Sequence, residues 1–425
     1  MKQIIPAIKG TRDFYPENMA VRTWLYEKIK QISQRYGYQE YDGPFLEPID
    51  LYAAKSGEEL VKEQSFVFPD RGGELITLRP ELTPSLARMV AQKQKQLVFP
   101  LRWWSFGPFW RYEKPQKGRS REFFQWNIDL IGLNTPEADA ELLSVIVSFL
   151  KAVGLSSAQV KVFVNDRKLM EDHLNLLEIP RERRSNVFRL IDRKEKMEFR
   201  EWENYAKDEG LNSSQISGIV NLLQNTELWK SSPNLLRIFD ALDTAEASDY
   251  IEFDPNIIRG LDYYTSTVFE AKDIGGTVRR SILGGGRYDD LLAAVGGDPL
   301  PAVGFAMGDV VISLILQEYG CIPSDIFSHP AQVLITTFSA ETFTHSLRLA
   351  SQLREKGVNV VTYPDSAHLN KQLKYADRMQ IPYAIILGPD EISAGTLAVK
   401  SLRTGEQSSI RLSEIDEKLI PLLAH

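Results

Sequence analysis

Between Pro16 and Tyr36, Val21, Trp24, Leu25, Ile29, Ile32 and Tyr36 recur at steps of three and four, which gathers them on one face of an α-helix. Gly37 supplies the stop, because glycine enters the left-handed cap freely. A strand rhythm follows: a short run at Tyr38–Asp42, a break at Gly43-Pro44, then "QSFVFPDRGGELITLRPELTP". Its two extended runs about Arg71-Gly72-Gly73 predict a hairpin ending at Arg79-Pro80-Glu81. "LRWWSFGPFWRYEKPQKGRSREFFQWNIDLIG" repeats that plan at larger scale. On its second strand the period of two puts Phe124, Trp126, Ile128 and Leu130 on one face, with Phe123, Gln125, Asn127 and Asp129 on the other. One face reads as core and the other as polar.

From Asn165 to Tyr250 the pattern turns helical and charge-dense, predicting a helical subdomain inserted at residues 167–245. Strands resume in "IRGLDYYTSTVFE" and "GTVRRSILGGGRYDDLL", and a helix follows "PAVGFAMGDVV". Gly284–Gly286 reads as a strand-to-helix turn. Antiparallel hairpins with helices grouped around them predict an α+β domain over residues 1–325. The last hundred residues alternate strand and helix as βαβαβ, predicting a separate α/β domain over residues 330–425, with the boundary near Pro323–Pro330.

Composition narrows the setting. The chain has 425 residues, a formal charge of −7, 43 % apolar and 25 % charged residues, as a soluble globular protein does. The single Cys321 excludes an internal disulfide and a Cys-rich zinc site. No histidine occurs before His173, so histidine-based catalysis is not expected. No long uncharged apolar run is present and Met1-Lys2-Gln3 does not open a signal peptide, so a cytoplasmic protein with no membrane partner is expected. Against the acidic background, "RYEKPQKGRSR" gathers Arg111, Lys114, Lys117, Arg119 and Arg121 around Glu113, a local patch suited to an anion.

The nucleotide-binding signatures fail in turn. "ILGGGRYDD" lacks the G-x-G-x-x-G spacing, and Gly-Lys, needed for a P-loop, occurs nowhere. An antiparallel sheet carrying arginines is another phosphate scaffold, since guanidinium groups fork onto phosphate oxygens. Arg111 and Arg259 suit it.

"KGTRDFYP", "TLRPELTP", "FWRYEKPQKGRSREFFQWNIDLIG", "RGLDYYTSTVFE", "GGGRYDDL" and "PAVGFAMG", in this order, resemble the histidyl-tRNA synthetases, class II aminoacyl-tRNA synthetases. "LNKQLKYADRMQIPYAIILG" and "GTLAVKSLRTGEQ" resemble that family's anticodon-binding domain. The resemblance implies activation of L-histidine with ATP and Mg²⁺, then transfer to the 3′ end of tRNA(His). It implies that Arg111 contacts the α-phosphate, with Glu113 and Arg119 nearby, and that Arg259 lies beside that phosphate and the substrate carboxylate. Glu81 and Thr83 would meet the amino end, and Gln125, Asp129, Tyr263, Tyr264 and Tyr288 would form the histidine pocket. Gln116, Lys117 and Arg119 would meet the 5′ guanosine of the tRNA. The insertion would lie against the acceptor arm. Pro44 and the preceding helix align with the segment that forms a homodimer interface.

The residue types suit this chemistry. A substrate carboxylate is already an anionic nucleophile, so activation needs charge neutralisation and positioning and no general base. Asp129 and Gln125 offer acceptors for an imidazole N–H and an ammonium group. Taken singly, Tyr263 and Tyr264 also read as core aromatics, and Glu81 and Asp129 as surface acids.

One departure stands out. Where the family commonly has Gly-Leu-Glu-Arg, this chain reads Gly308-Asp309-Val310-Val311, and Arg279 or Arg280 is the expected substitute for the missing charge. The departure leaves open a histidine-binding module like the regulatory subunit of ATP phosphoribosyltransferase, and a structural RNA-binding relative. In the C-terminal domain, Lys371, Lys374 and Arg378 read as anticodon contacts or as a solvated helix face.

Overall fold

In the computed structural model, which describes residues 4–53, 63–194, 197–259, 263–276, 278–327 and 329–423, the first helix spans Pro16–Arg35 and buries Leu25, Ile29, Ile32 and Ser33. Gly37 follows at φ 78°, the left-handed conformation of a helix stop. The extended run at Tyr38–Asp42 contracts to β1 (Gln39–Glu40). Beyond Gly43-Pro44 lies β2 (Leu46–Pro48), and β3 (Phe66–Pro69) and β4 (Leu75–Leu78) form the small hairpin. These three strands make a sheet of their own, ordered β2-β4-β3.

The main sheet has eight strands. To β1 it adds β5 (Leu101–Trp110), β6 (Glu122–Ile131), β7 (Val160–Asp166), β8 (Ile251–Phe253), β9 (Thr267–Asp273), β10 (Leu283–Tyr288) and β11 (Ala302–Gly308), in the order β1-β5-β6-β11-β10-β9-β7-β8. The edge pairs β1–β5 and β7–β8 are parallel. The pairs between them are antiparallel. β6 therefore has a strand on each side, and its back face is covered by a helix. On the back, Trp126, Ile128 and Leu130 are fully buried. Trp126 packs on Phe149 of the helix Pro136–Ala152, with ring centroids 5.3 Å apart. Each such side chain withdrawn from water contributes roughly 1.5–3 kcal/mol, which fixes the helix to this face.

Two sequence expectations need correction here. Gly284–Gly286 is not a turn: all three residues lie inside β10, paired with β9 and β11. The strand read through "IRGLDYYTSTVFE" begins only at Thr267. Arg259 has φ 61°, a conformation foreign to strands. Gly260-Leu261-Asp262 of that motif lies outside the described residues.

Between β7 and β8 come the helices Arg167–Leu176, Arg184–Arg193, Phe199–Asp208, Ser213–Gln224 and Pro233–Thr244. The charge run turns its apolar residues inward. Val187, Phe188, Leu190, Ile191 and Trp202 are buried, and the Trp202 indole donates to the Leu190 carbonyl at 2.8 Å.

The chain divides into compact units at Ser324 and Asp325. In the second, β12 (Val333–Ile335), β13 (Val360–Thr362) and β14 (Tyr383–Ile386) are parallel, while β15 (Thr396–Ser401) and β16 (Gln407–Arg411) continue the sheet antiparallel. Its core includes Val333, Ile335, Leu349, Leu353, Ile385 and Leu397. Lys371, Lys374 and Arg378 are exposed on the helix Leu369–Arg378. Among the described residues no helix is long and apolar enough to cross a membrane.

Candidate active site

The site is built on the front face of the main sheet, where β6 presents Gln125, Asn127 and Asp129, 9 %, 4 % and 5 % exposed. Their partners on β11 are Gly308, Ala306 and Gly304. Bulky Val303, Phe305 and Met307 of the same strand alternate to the back. One strand further on, β10 brings Gly284 and Gly286 opposite Ala306 and Gly304. Small residues thus clear a floor for larger groups. A Cβ on Gly304 would collide with Asp129 Oδ1, and one on Gly284 would collide with Arg259 Nη1. Neither position tolerates alanine without displacing a charged side chain.

At one end lies a cluster of phenols and acids. Tyr288, 3 % exposed, donates its hydroxyl to Asp129 Oδ1 at 2.5 Å. Burial pushes the Asp129 carboxyl from its ordinary 3.8 up to about 7, and the Tyr288 hydroxyl offsets part of the rise. Tyr263 lies against Tyr264 and Tyr288, with centroids at 4.8 and 6.0 Å. Burial, then Tyr264 and the charge of Glu81, hold the Tyr263 hydroxyl well above its usual range. Glu81 is 7 % exposed, and Thr83 opens the helix Thr83–Lys93 just beyond it. Neither Glu81 nor Asp129 is a surface acid. Tyr264 serves both readings, since it also packs on Ile257 and Val268.

At the other end, Arg111, Glu113, Arg119, Gln125 and Arg259 line a cleft of about 200 Å³. Arg259 Nη1 bonds Glu270 Oε1 at 3.0 Å, and Ser281 donates to the same oxygen. Arg259 Nε is buried without a partner among the described residues. A left-handed backbone, a glycine beneath and a carboxylate behind together hold this guanidinium in place. Holding a non-glycine residue there costs about 1–3 kcal/mol, a cost that concentrates at functional sites.

The loop between β5 and β6 is ordered by its own contacts. Arg111 Nε donates to the Pro80 carbonyl at 2.9 Å, Arg121 Nε to the Glu113 carbonyl at 3.1 Å, and Arg119 pairs with Glu113. Gln116 and Lys117 sit exposed at its tip, where Gln116 and Arg119 exchange backbone hydrogen bonds.

Val310 and Val311 line the cleft where the family's arginine is expected. Asp309 turns away from it, accepting from Arg12 Nη2 and from the Phe124 amide, both at 2.8 Å. Arg280 approaches instead: its Cδ lies 2.9 Å from where a Cβ on Gly118 would be, with Val311 Cγ2 at 3.6 Å from that point. Burial and then the Arg119 charge lower the Arg280 pKa. Arg279 is exposed, and neither it nor Arg280 is among the residues lining the cleft itself; Arg280 differs in lying against Gly118, which does line it.

Comparison with known proteins supplies the family. The histidyl-tRNA synthetase family model matches residues 10–309, and an anticodon binding domain model matches residues 332–421. The chain belongs to the histidyl-tRNA synthetase family. The chloroplastic/mitochondrial histidine–tRNA ligase of Arabidopsis thaliana is 37 % identical, over 96 % of this chain and 85 % of that protein. The histidine–tRNA ligase of Haloarcula marismortui is 36 % identical over 96 % of each chain. In fold, the chain is similar to the crystal structure of histidyl-tRNA synthetase from Nostoc sp. PCC 7120, with a TM-score of 0.81, 23 % identity, and coverage of 100 % of this chain and 99 % of that one.

For a histidyl-tRNA synthetase family member, two features of the site escaped the sequence reading. Glu270 looked like the end of a strand, and nothing local marked it as the partner of Arg259. The floor was legible in principle, because "PAVGFAMG" alternates small and large residues. That alternation is the signature of a strand with one face left open.

Proposed function

We propose that this chain is a histidine–tRNA ligase in which the phenol-rich end of the site holds the amino acid and the arginine-lined cleft holds ATP. The observation that carries the reading is the meeting of Arg111, Arg259 and Gln125 in one cleft, on the same sheet face as the buried Asp129–Tyr288 pair.

Asp129 accepts an imidazole N–H, and Glu81 and Gln125 face the amino group. Thr83, Tyr263 and Tyr264 close the pocket around the substrate. Arg259 neutralises the substrate carboxylate and the α-phosphate as they approach, and Arg111 takes the far side of that phosphate. The carboxylate oxygen attacks the α-phosphorus, the bond to the β-phosphate oxygen breaks, and pyrophosphate leaves. Preorganised charge is the largest contribution to such a step. Arg280 replaces the missing family arginine toward the ATP tail, with Arg119 beside it. Among the described residues no trio of acids or histidines gathers for a metal, and Glu113 is the carboxylate that lines the cleft. That donor set suits a Mg²⁺ ion that arrives on ATP and keeps most of its water. Glu113 would hold it, and the ion would supply neutralising charge on the phosphate oxygens.

For the transfer step, Gln116 reads a base edge of the 5′ guanosine, while Lys117 and Arg119 contact phosphate. The apolar surface of the small sheet supports a homodimer. Leu46 and Phe68, 48 % and 40 % exposed, lie on one face of that sheet. A monomer mass in light scattering at micromolar concentration would remove this assignment. The lone thiol suits a reducing, cytoplasmic setting.

Histidine-dependent ATP–pyrophosphate exchange tests the whole reading. Exchange with histidine and with no other amino acid is the expected result. Histidine binding without exchange would return the chain to the regulatory-module alternative, against which the retained Arg111, Glu81 and Arg259 and the anticodon binding domain now stand.

A further inference from the structure

Two buried polar groups beside Asp129 bond nothing among the described residues, and the mechanism above does not use them. Asn127 lies between Gln125 and Asp129 on the front face of β6, and its Nδ2 is one of them. Tyr41 follows β1, its amide donating to the Trp104 carbonyl at 2.9 Å. Its ring lies on Trp103, with centroids 5.3 Å apart, and Trp103 is the β5 residue paired with Asp129. The Tyr41 hydroxyl is the second buried group without a partner. Burial and then the charge of Asp129 raise its pKa. Buried donors are nearly always satisfied in folded proteins. Two orphans flanking one carboxylate therefore mark the place of a polar ligand.

The chemistry of that ligand follows from Asp129. Its Oδ1 already accepts from Tyr288, and as an ionised carboxylate it accepts only. It can take one imidazole N–H. The other ring nitrogen of a neutral imidazole is an acceptor, and it needs a donor. Asn127 Nδ2 is a donor, and Tyr41 Oη can donate as well. We propose that Tyr41 and Asn127 are further specificity residues of the amino-acid pocket, sharing between them, as a three-centre hydrogen bond, the one lone pair of the imidazole nitrogen that Asp129 does not take. The assignment rests on the reading of this site as a histidine pocket. It gives the pocket a way to reject rings that carry a single N–H and no second nitrogen, because such rings leave these donors unpaired.

The experiment is pyrophosphate exchange by the full-length wild type, Tyr41→Phe and Asn127→Ala, with L-histidine and with the two pyrrolylalanines, whose rings keep one N–H and have carbon in place of the second nitrogen. Each substitution is expected to raise the KM for histidine by about three- to tenfold, the effect of one lost hydrogen bond, with the KM for ATP unchanged. The preference for histidine over its pyrrole analogues should shrink by a similar factor. An unchanged histidine KM in both variants would overturn the assignment. So would a loss shared equally by histidine and the pyrrole analogues, which is the mark of a purely structural role. If the wild type itself does not exchange, the adenylating function falls separately. Calorimetric titration of the same proteins with histidine then decides the pocket assignment, weaker binding by the variants supporting it and equal binding overturning it.

Discussion

The two ends of the candidate site are built by opposite means. Around Asp129 there is one carboxyl pushed up to about 7, the buried Tyr264 and Tyr288 with a half-buried Tyr263, and a floor of glycine and alanine that is buried at Gly304. Around Arg259 and the loop, guanidinium groups stand in ion pairs at the edge of solvent: Arg119, 42 % exposed, on Glu113, and Arg259, 23 % exposed, on Glu270. A small polar side chain is distinguished by leaving wrong partners unpaired in a dry pocket. A polyphosphate is held by charge, which tolerates water and is weakened by salt. On the proposed reading, the difference teaches why a family arginine lost from the charged end is expected to cost less than a change beside Asp129.

Arg259→Ala is the severest test, because the proposed function has Arg259 serve both ends. The exchange kcat should fall about 10²–10³-fold, as when a preorganised donor to developing charge is removed, with the thermal unfolding midpoint little changed. A loss confined to the KM for ATP would assign Arg259 to the phosphate end alone.

Asp129→Asn should raise the KM for histidine by about 10–100-fold, equivalent to roughly 1.5–3 kcal/mol for a hydrogen bond to a charged group. It should also change the pH dependence of stability. The folded carboxyl holds its proton up to about pH 7, whereas the unfolded chain releases it near its ordinary 3.8. The fold therefore binds more protons over that window, and the stability of the unligated wild type falls as pH rises from about 4 to about 7, then levels. The substitution removes the titrating group and with it that decline, so the variant should unfold at a higher denaturant concentration than wild type at pH 8. In the wild type the KM for histidine should rise as pH falls through about 7. An unchanged stability profile in the variant would show that the carboxyl is not in a dry pocket.

Arg280→Ala should raise the KM for ATP by about tenfold, within the range for one charge-assisted contact, while Arg279→Ala stays within about twofold. Equal effects would mean that the cleft reads the general charge of the hairpin rather than one guanidinium. The smallest change belongs to the exposed loop tip. Gln116→Ala should reduce the preference for tRNA carrying the extra 5′ guanosine about threefold, as one solvent-exposed hydrogen bond allows, and an unaltered ratio would remove its base-reading role.

Local pattern determined much of this protein. The heptad-like spacing of Leu25, Ile29 and Ile32 specified a helix, the alternation from Phe123 to Leu130 specified both faces of β6, and the family motifs supplied the candidate residues of the pocket before any fold was known. These are legible because a side chain's direction depends on backbone period alone. Tertiary structure decided what those directions meet. It made the polar face of β6 a pocket instead of a solvated surface, because a strand pairs with β6 on each side and the facing residues on β11 are the small Gly304, Ala306 and Gly308. It turned Gly284–Gly286 from an expected turn into a strand against which Arg259 can lie. It brought Glu270 to Arg259, Asp309 to Arg12, and Arg280 rather than Arg279 to the loop. Arg259 and Glu270 are 11 residues apart and Arg12 and Asp309 are 297 apart, and at either distance the backbone period sets a side chain's direction without encoding which partner will arrive there.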